Sequence, residues 1–218
     1  SCPVESVSWG QAIAFANTLS ELEGLTPAYA ENDETYSLDL DADGYRLPTE
    51  AEWEFAARCG TDLRYAGSDD ADEVARYNQT SDGSIRPVAG RSPNGCGLYD
   101  MSGNVYEWVW DRFGEDYYDG GEMTDPTGPA TGDDRVYRGG AWDSPSCHLP
   151  SSVAILVSSS PLPSQLPCCS SGEPNEEIPK TERPDAAKPA PPTCRESPAS
   201  SGSPPTQTAR ATPHCSAA

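Results

Sequence analysis

The sequence predicts an α+β domain, loop-rich, with two clear helices and short strands, and incomplete. Three observations carry this. All five Trp, ten Tyr and three Phe lie before position 143, so a packed core is confined to the first part of the chain. Two segments near the start have helical periodicity and capping residues. From residue 60 to 142, Gly, Asp, Asn and Pro recur every few positions with single aromatics between them, which suits short strands and ordered loops.

The first helix is expected at about 8–22. Ser8 is its N-cap, Trp9, Ala12, Ile13, Ala16 and Leu19 recur at helical spacing, and Gly24 stops it. The second starts at Thr49, which forms a capping box with Glu52 three residues on. Glu50 and Glu52 favour the positive end of the helix dipole, Arg58 favours the negative end, and Gly60 closes it. Trp53, Ala56 and Ala57 are expected to face the core. Beyond residue 60 buried Tyr and Trp need polar partners, which a loop-rich interior supplies.

Residues 1–143 are read as one partial domain and 144–218 as a Ser/Pro-rich disordered tail. Of the 22 prolines, 15 lie in the last 76 residues. The run Val153–Val157 could form a strand alone but has no patterned neighbours. The chain opens on Ser1-Cys2-Pro3-Val4 rather than Met and reads as an internal fragment. It shows no signal peptide or transmembrane run.

The net charge of −21 is concentrated in residues 1–142, which hold 28 Asp and Glu against nine Arg, with no Lys and no His. Such a surface repels nucleic acid and anionic membranes, and it suits calcium, basic partners or simple solubility. Without His, this part cannot build a Ser/His/Asp or Cys/His catalytic set or a His-based metal site, so no catalytic residue is assigned. The eight cysteines are widely spaced or sit in low-complexity sequence, without a CxxC pair. Their spacing argues against a disulfide or zinc framework and fixes no compartment.

Four segments, in order, resemble one family: Pro3-Val4-Glu5-Ser6-Val7-Ser8-Trp9, then Gly44-Tyr45-Arg46-Leu47-Pro48-Thr49-Glu50-Ala51-Glu52-Trp53-Glu54, then Gly97-Leu98-Tyr99-Asp100-Met101-Ser102-Gly103-Asn104-Val105-Tyr106-Glu107-Trp108, and Arg135-Val136-Tyr137-Arg138-Gly139-Gly140-Ala141-Trp142. The chain resembles the formylglycine-generating enzyme (sulfatase-modifying factor) family over residues 3 to about 143. The resemblance implies a C-type-lectin-like fold, truncated here at both ends. It also implies calcium at Asp100 and Glu107 through carboxylates and at Gly103 and Val105 through main-chain carbonyls, a mix of hard oxygens that suits Ca²⁺. Asp100 as a turn cap and Glu107 as a surface carboxylate is the competing reading.

Members with oxidase activity convert a sulfatase cysteine to formylglycine with copper(I) held by two cysteines. By position these fall at Ser144 and Leu149, and Cys147 matches neither slot. Copper, cysteine-oxidase activity and a sulfatase substrate are therefore not expected. The alternatives are a module binding a protein or small ligand, or an inactive remnant of the enzyme. Asp39, Asp41, Asp43 and Glu50 also fit the pattern of a calcium-binding EF-hand loop, but Arg46 and Pro48 disturb it. A reading-frame slip is the favoured origin of the tail. Leu166-Pro167-Cys168-Cys169-Ser170 can be encoded so that the next frame reads Phe-Arg-Val-Val-Arg, like the family's closing strand. A genuine linker is the rival.

Overall fold

Ser8 caps the first helix as its sequence requires. Its hydroxyl accepts the Gln11 N–H, and the Gln11 side chain returns to the Ser8 N–H. Helix α1 runs Trp9–Leu22 and buries Ile13, Ala16 and Ser20. A hairpin of β1 (Tyr29–Asn32) and β2 (Thr35–Leu38) follows in antiparallel register. Helix α2 (Glu50–Arg58) starts from the same reciprocal cap at Thr49 and Glu52. It buries Trp53 and Ala57, whereas Ala56 is half-buried. The short helix α3 (Ala71–Val74) precedes the long loop to β3 (Glu107–Arg112), β4 (Asp134–Arg138) and β5 (Ile155–Ser158). These three form an antiparallel sheet in the order β3-β4-β5. The computed structural model describes residues 1–32, 35–152 and 155–158.

Two results differ from the sequence-based expectation. Packed structure extends past residue 143: Ser144, Leu149 and Ser151 are buried, and β5 pairs with β4 from Asp134↔Ser158 to Tyr137↔Ile155. A strand needs main-chain partners more than patterned neighbours in sequence, and β4 supplies them. The rest of the expected tail lies outside the described residues. Second, Cys59 and Cys96 form a disulfide with Cα atoms 5.7 Å apart. Spacing in sequence did not reveal it because the α2 C-terminus and the 94–97 turn meet only in the fold. Asn94 makes that meeting, donating from Nδ2 to the carbonyls of Ala56 and Ala57.

Three apolar clusters hold these elements. Trp53, Ala57, Met101, Val109 and Val136 lock α2 to the sheet. Tyr65, Val74, Tyr77 and Leu149 pack around α3. Ile13, Ala28, Tyr29 and Leu47 pack α1 against the hairpin, with Trp9 and Trp110 beside them. Burying such side chains contributes about 1.5–3 kcal/mol each before entropy is counted.

Candidate functional site

The loop from Gly97 to Glu107 is built by main-chain conformations that few residues adopt. Asp100, Gly103 and Asn104 all have positive φ, at 59°, 89° and 69°. Asp and Asn tolerate this region, and glycine is required where backbone crowds in. Gly103 is such a place: a Cβ there would lie 2.2 Å from the Arg76 carbonyl oxygen. The Gly103 N–H donates to Gly139 O at 2.7 Å and the Asn104 N–H to Arg76 O at 2.6 Å. The fully buried Asn104 side chain accepts the Arg86 N–H and donates to Arg86 O. One loop is thereby tied to both the Arg76–Arg86 segment and the Gly139-Gly140 turn.

Asp100 and Glu107 stand at the two ends of this loop, close enough for the Asp100 charge to act on Glu107. Asp100 Oδ2 accepts the Ala89 N–H at 2.7 Å, and Glu107 Oε2 accepts the Trp53 indole N–H at 2.6 Å. Burial raises the Asp100 carboxyl above its ordinary value, against the Ala89 hydrogen bond and the Arg76 charge. Burial pushes Glu107 up to about 7, the Trp53 hydrogen bond opposes it, and the Asp100 charge adds to it. Neither carboxylate is in a salt bridge among the described residues. Two partly desolvated carboxylates that repel each other are a setting a hard cation would relieve. Gly103 and Val105 lie between them in the chain, and their carbonyls add the same hard-oxygen chemistry. Among the described residues no three His, Cys, Asp or Glu side chains converge, so a cation here would need main-chain oxygens as well.

The Asp39–Glu50 pattern is dispersed. Asp39 Oδ1 accepts the Asp41 N–H, and Asp43 Oδ1 accepts the Thr26 N–H, which holds the Asp43 carboxyl below its usual range. Glu50 turns into the interior, where burial raises its pKa and Arg138 opposes the rise.

At the positions expected for copper, Ser144 is 3 % exposed. Its hydroxyl accepts the Ala141 N–H at 3.0 Å and shares a hydrogen bond with the Tyr106 hydroxyl at 2.7 Å. Leu149 is fully buried in the cluster around α3, with Cδ2 2.7 Å from where a Gly140 Cβ would stand. Cys147 is half-buried and outside the disulfide.

The sequence reading missed a buried ionic cluster. Arg138, 1 % exposed, places Nη2 2.5 Å from Glu54 Oε2 and Nε 3.8 Å from Glu50 Oε1, with its guanidinium over the Trp53 ring. The signal was present: Glu50 and Glu54 are four apart on α2 and share one face. Beside them the fully buried Asp111 accepts the Glu50 N–H at 2.8 Å, and its Oδ1 has no partner. Burial pushes Asp111 up to about 6 from 3.8, and the Glu50 hydrogen bond opposes this. A carboxyl raised on folding contributes fully below its unfolded value and loses that contribution as pH rises through the folded one. Stability is therefore expected to fall between about pH 4 and 6 by at most about 3 kcal/mol on this account. Asp111→Asn is expected to flatten that segment of the profile, as read by urea denaturation at each pH. An unchanged slope would show that other groups set it.

A family model described as the sulfatase-modifying factor enzyme 1-like domain matches residues 1–160. The chain is 37 % identical over 161 residues to the formylglycine-generating enzyme of Streptomyces coelicolor, covering 67 % of this chain and 43 % of that protein. It is 43 % identical over 130 residues to the serine/threonine-protein kinase pkn1 of Chlamydia caviae, covering 55 % of this chain and 21 % of that one. The chain thus spans less than half the length of either curated relative. Among solved structures, Treponema denticola variable protein 1 superposes with a TM-score of 0.69 at 35 % identity, covering 74 % of this chain and 68 % of that one.

Proposed function

The chain belongs to the sulfatase-modifying factor enzyme 1-like family, and from that premise we propose that it is a calcium-holding binding domain of the family without cysteine-oxidase chemistry of its own. The observation that carries this is the pair Ser144 and Leu149. One offers a hydroxyl already engaged with Tyr106 and Ala141, and the other an aliphatic side chain sealed in the core. Copper(I) is held by soft thiolates, and neither side chain has one. The residues do not fit copper, so no oxidation step is assigned to them. In the present chain these positions fix the turn after Gly139-Gly140 instead.

The Asp100–Glu107 loop does fit calcium by its donor chemistry. The carboxylates of Asp100 and Glu107 and the carbonyls of Gly103 and Val105 would hold the ion, which supplies positive charge between two desolvated acids. The loop joins the Gly139-Gly140 turn through the Gly103 N–H. A bound ion would therefore stiffen the segment that presents residues 141–152, where a protein or small ligand would be recognised.

The test is direct. Purified chain is mixed with copper(I), oxygen and a sulfatase peptide containing the target cysteine, beside the Streptomyces coelicolor enzyme. Mass spectrometry is expected to show the peptide unchanged by this chain and converted by the reference. Conversion by this chain would overturn the proposal.

A further inference from the structure

Two of the arginines in this acidic chain face each other across one strand pair. Arg112 on β3 and Arg135 on β4 are direct antiparallel partners. Like charges in that relation destabilise a sheet unless something lies between them. Nothing negative does so among the described salt bridges, in which neither arginine takes part. Arg135 is 7 % exposed and lies 3.6 Å over the Trp9 ring, with Nη1 donating to Trp110 O at 2.6 Å. Burial, and then the Arg112 charge, lower its pKa to about 10, while Asp111 favours its charged form. Arg112 donates to two neutral oxygens, Gly132 O and Thr35 Oγ1.

Arg112 and Arg135 both line a half-open cleft of about 300 Å³, bounded also by Thr35 and Tyr36 of β2, by Trp110 and by the 127–130 segment. Thr35 and Thr127 add hydroxyls to its wall. The wall is pressed close to the sheet: Gly128 has φ +81°, and a Cβ there would stand 2.8 Å from Asp111 Cβ. Two planar forks with flanking hydroxyls match the geometry of a carboxylate. The volume is at the lower end of small-molecule sites and exceeds what a bare oxyanion fills.

We propose that the cavity between Arg112, Arg135, Thr35 and Thr127 is a binding site for a small organic carboxylate. It stands apart from the Asp100–Glu107 loop and does not depend on calcium or on the absence of oxidase chemistry. The anion sits between the two guanidinium groups and removes their mutual repulsion. Its organic body occupies the remaining space toward the 127–130 segment. The alternative is that Arg112 is only a strut tying Gly132 and Thr35 to β3.

The test uses the full chain and glutarate as probe. Glutaramide serves as the neutral body of the same shape, and sulfate as the bare oxyanion. Calorimetry is expected to give saturable glutarate binding, with glutaramide and sulfate each at least tenfold weaker. Arg112→Gln keeps a polar side chain at this position but removes the charge, and is expected to weaken glutarate at least tenfold. Amide shifts on glutarate addition to the unmodified protein, mapped to Thr35, Thr127 and Gly128, provide a readout independent of that variant's folding. Equal binding of glutarate and glutaramide, equal binding of sulfate, unchanged affinity in Arg112→Gln, or shifts lying elsewhere would each overturn the proposal.

Discussion

Arg138→Met is expected to cost about 3–5 kcal/mol of folding stability, the range seen when one partner of a buried ion pair is removed. The guanidinium stands against Glu54 at 2.5 Å and Glu50 at 3.8 Å, and packs over Trp53 in the cluster that joins α2 to the sheet. Met keeps much of the volume and leaves Glu50 as an uncompensated buried carboxylate. Glu50 is already raised by burial despite Arg138, and losing that charge raises it further. A raised carboxyl loses its stabilising contribution as pH increases. The variant's deficit is therefore expected to be larger at pH 7 than at pH 4. Glu54→Gln should cost far less, on the order of 1 kcal/mol, because that side chain is about a third exposed. Urea denaturation with an unchanged m-value would measure both. A deficit for Arg138→Met below about 1 kcal/mol, or one that shrinks toward neutral pH, would mean that the pair does not hold the helix to the sheet.

Calcium at one hundred times its dissociation constant is expected to stabilise the domain by about 2.7 kcal/mol, and Glu107→Gln is expected to abolish that gain. The same variant should behave in the opposite way in EDTA. Burial holds the Glu107 carboxyl near 7. Above that pH the wild-type protein carries an ionised, desolvated carboxylate that feels the Asp100 charge, whereas glutamine carries none. Its amide oxygen can still accept the Trp53 indole N–H. Without calcium Glu107→Gln should therefore melt no lower than wild type at pH 8, and with calcium it should melt lower. This crossing separates ligand loss from a packing defect, which would lower both curves. A calcium response that survives in Glu107→Gln and in Asp100→Asn would remove these residues from the ligand set.

What is local was legible in the chain before folding. Ser8 as an N-cap and Thr49 with Glu52 as a capping box marked both helix starts, because a cap closes within four residues and needs no distant partner; that Gln11 completes the first cap came from the structure. The motif from Gly97 to Trp108 placed Asp100 and Glu107 in one loop, since the positive-φ residues that fold it back lie between them or beside them. Everything that depends on which segments become neighbours came from long-range packing. Cys59 meets Cys96 where Asn94 reaches the end of α2. The Ile155–Ser158 strand exists because β4 offers it a main-chain edge. Arg138 finds Glu50 and Glu54 through the packing of α2 on the sheet, and Arg112 comes to face Arg135 through strand register. Register is a long-range quantity: a shift of one residue sends every side chain to the opposite face, and no short stretch of sequence specifies it.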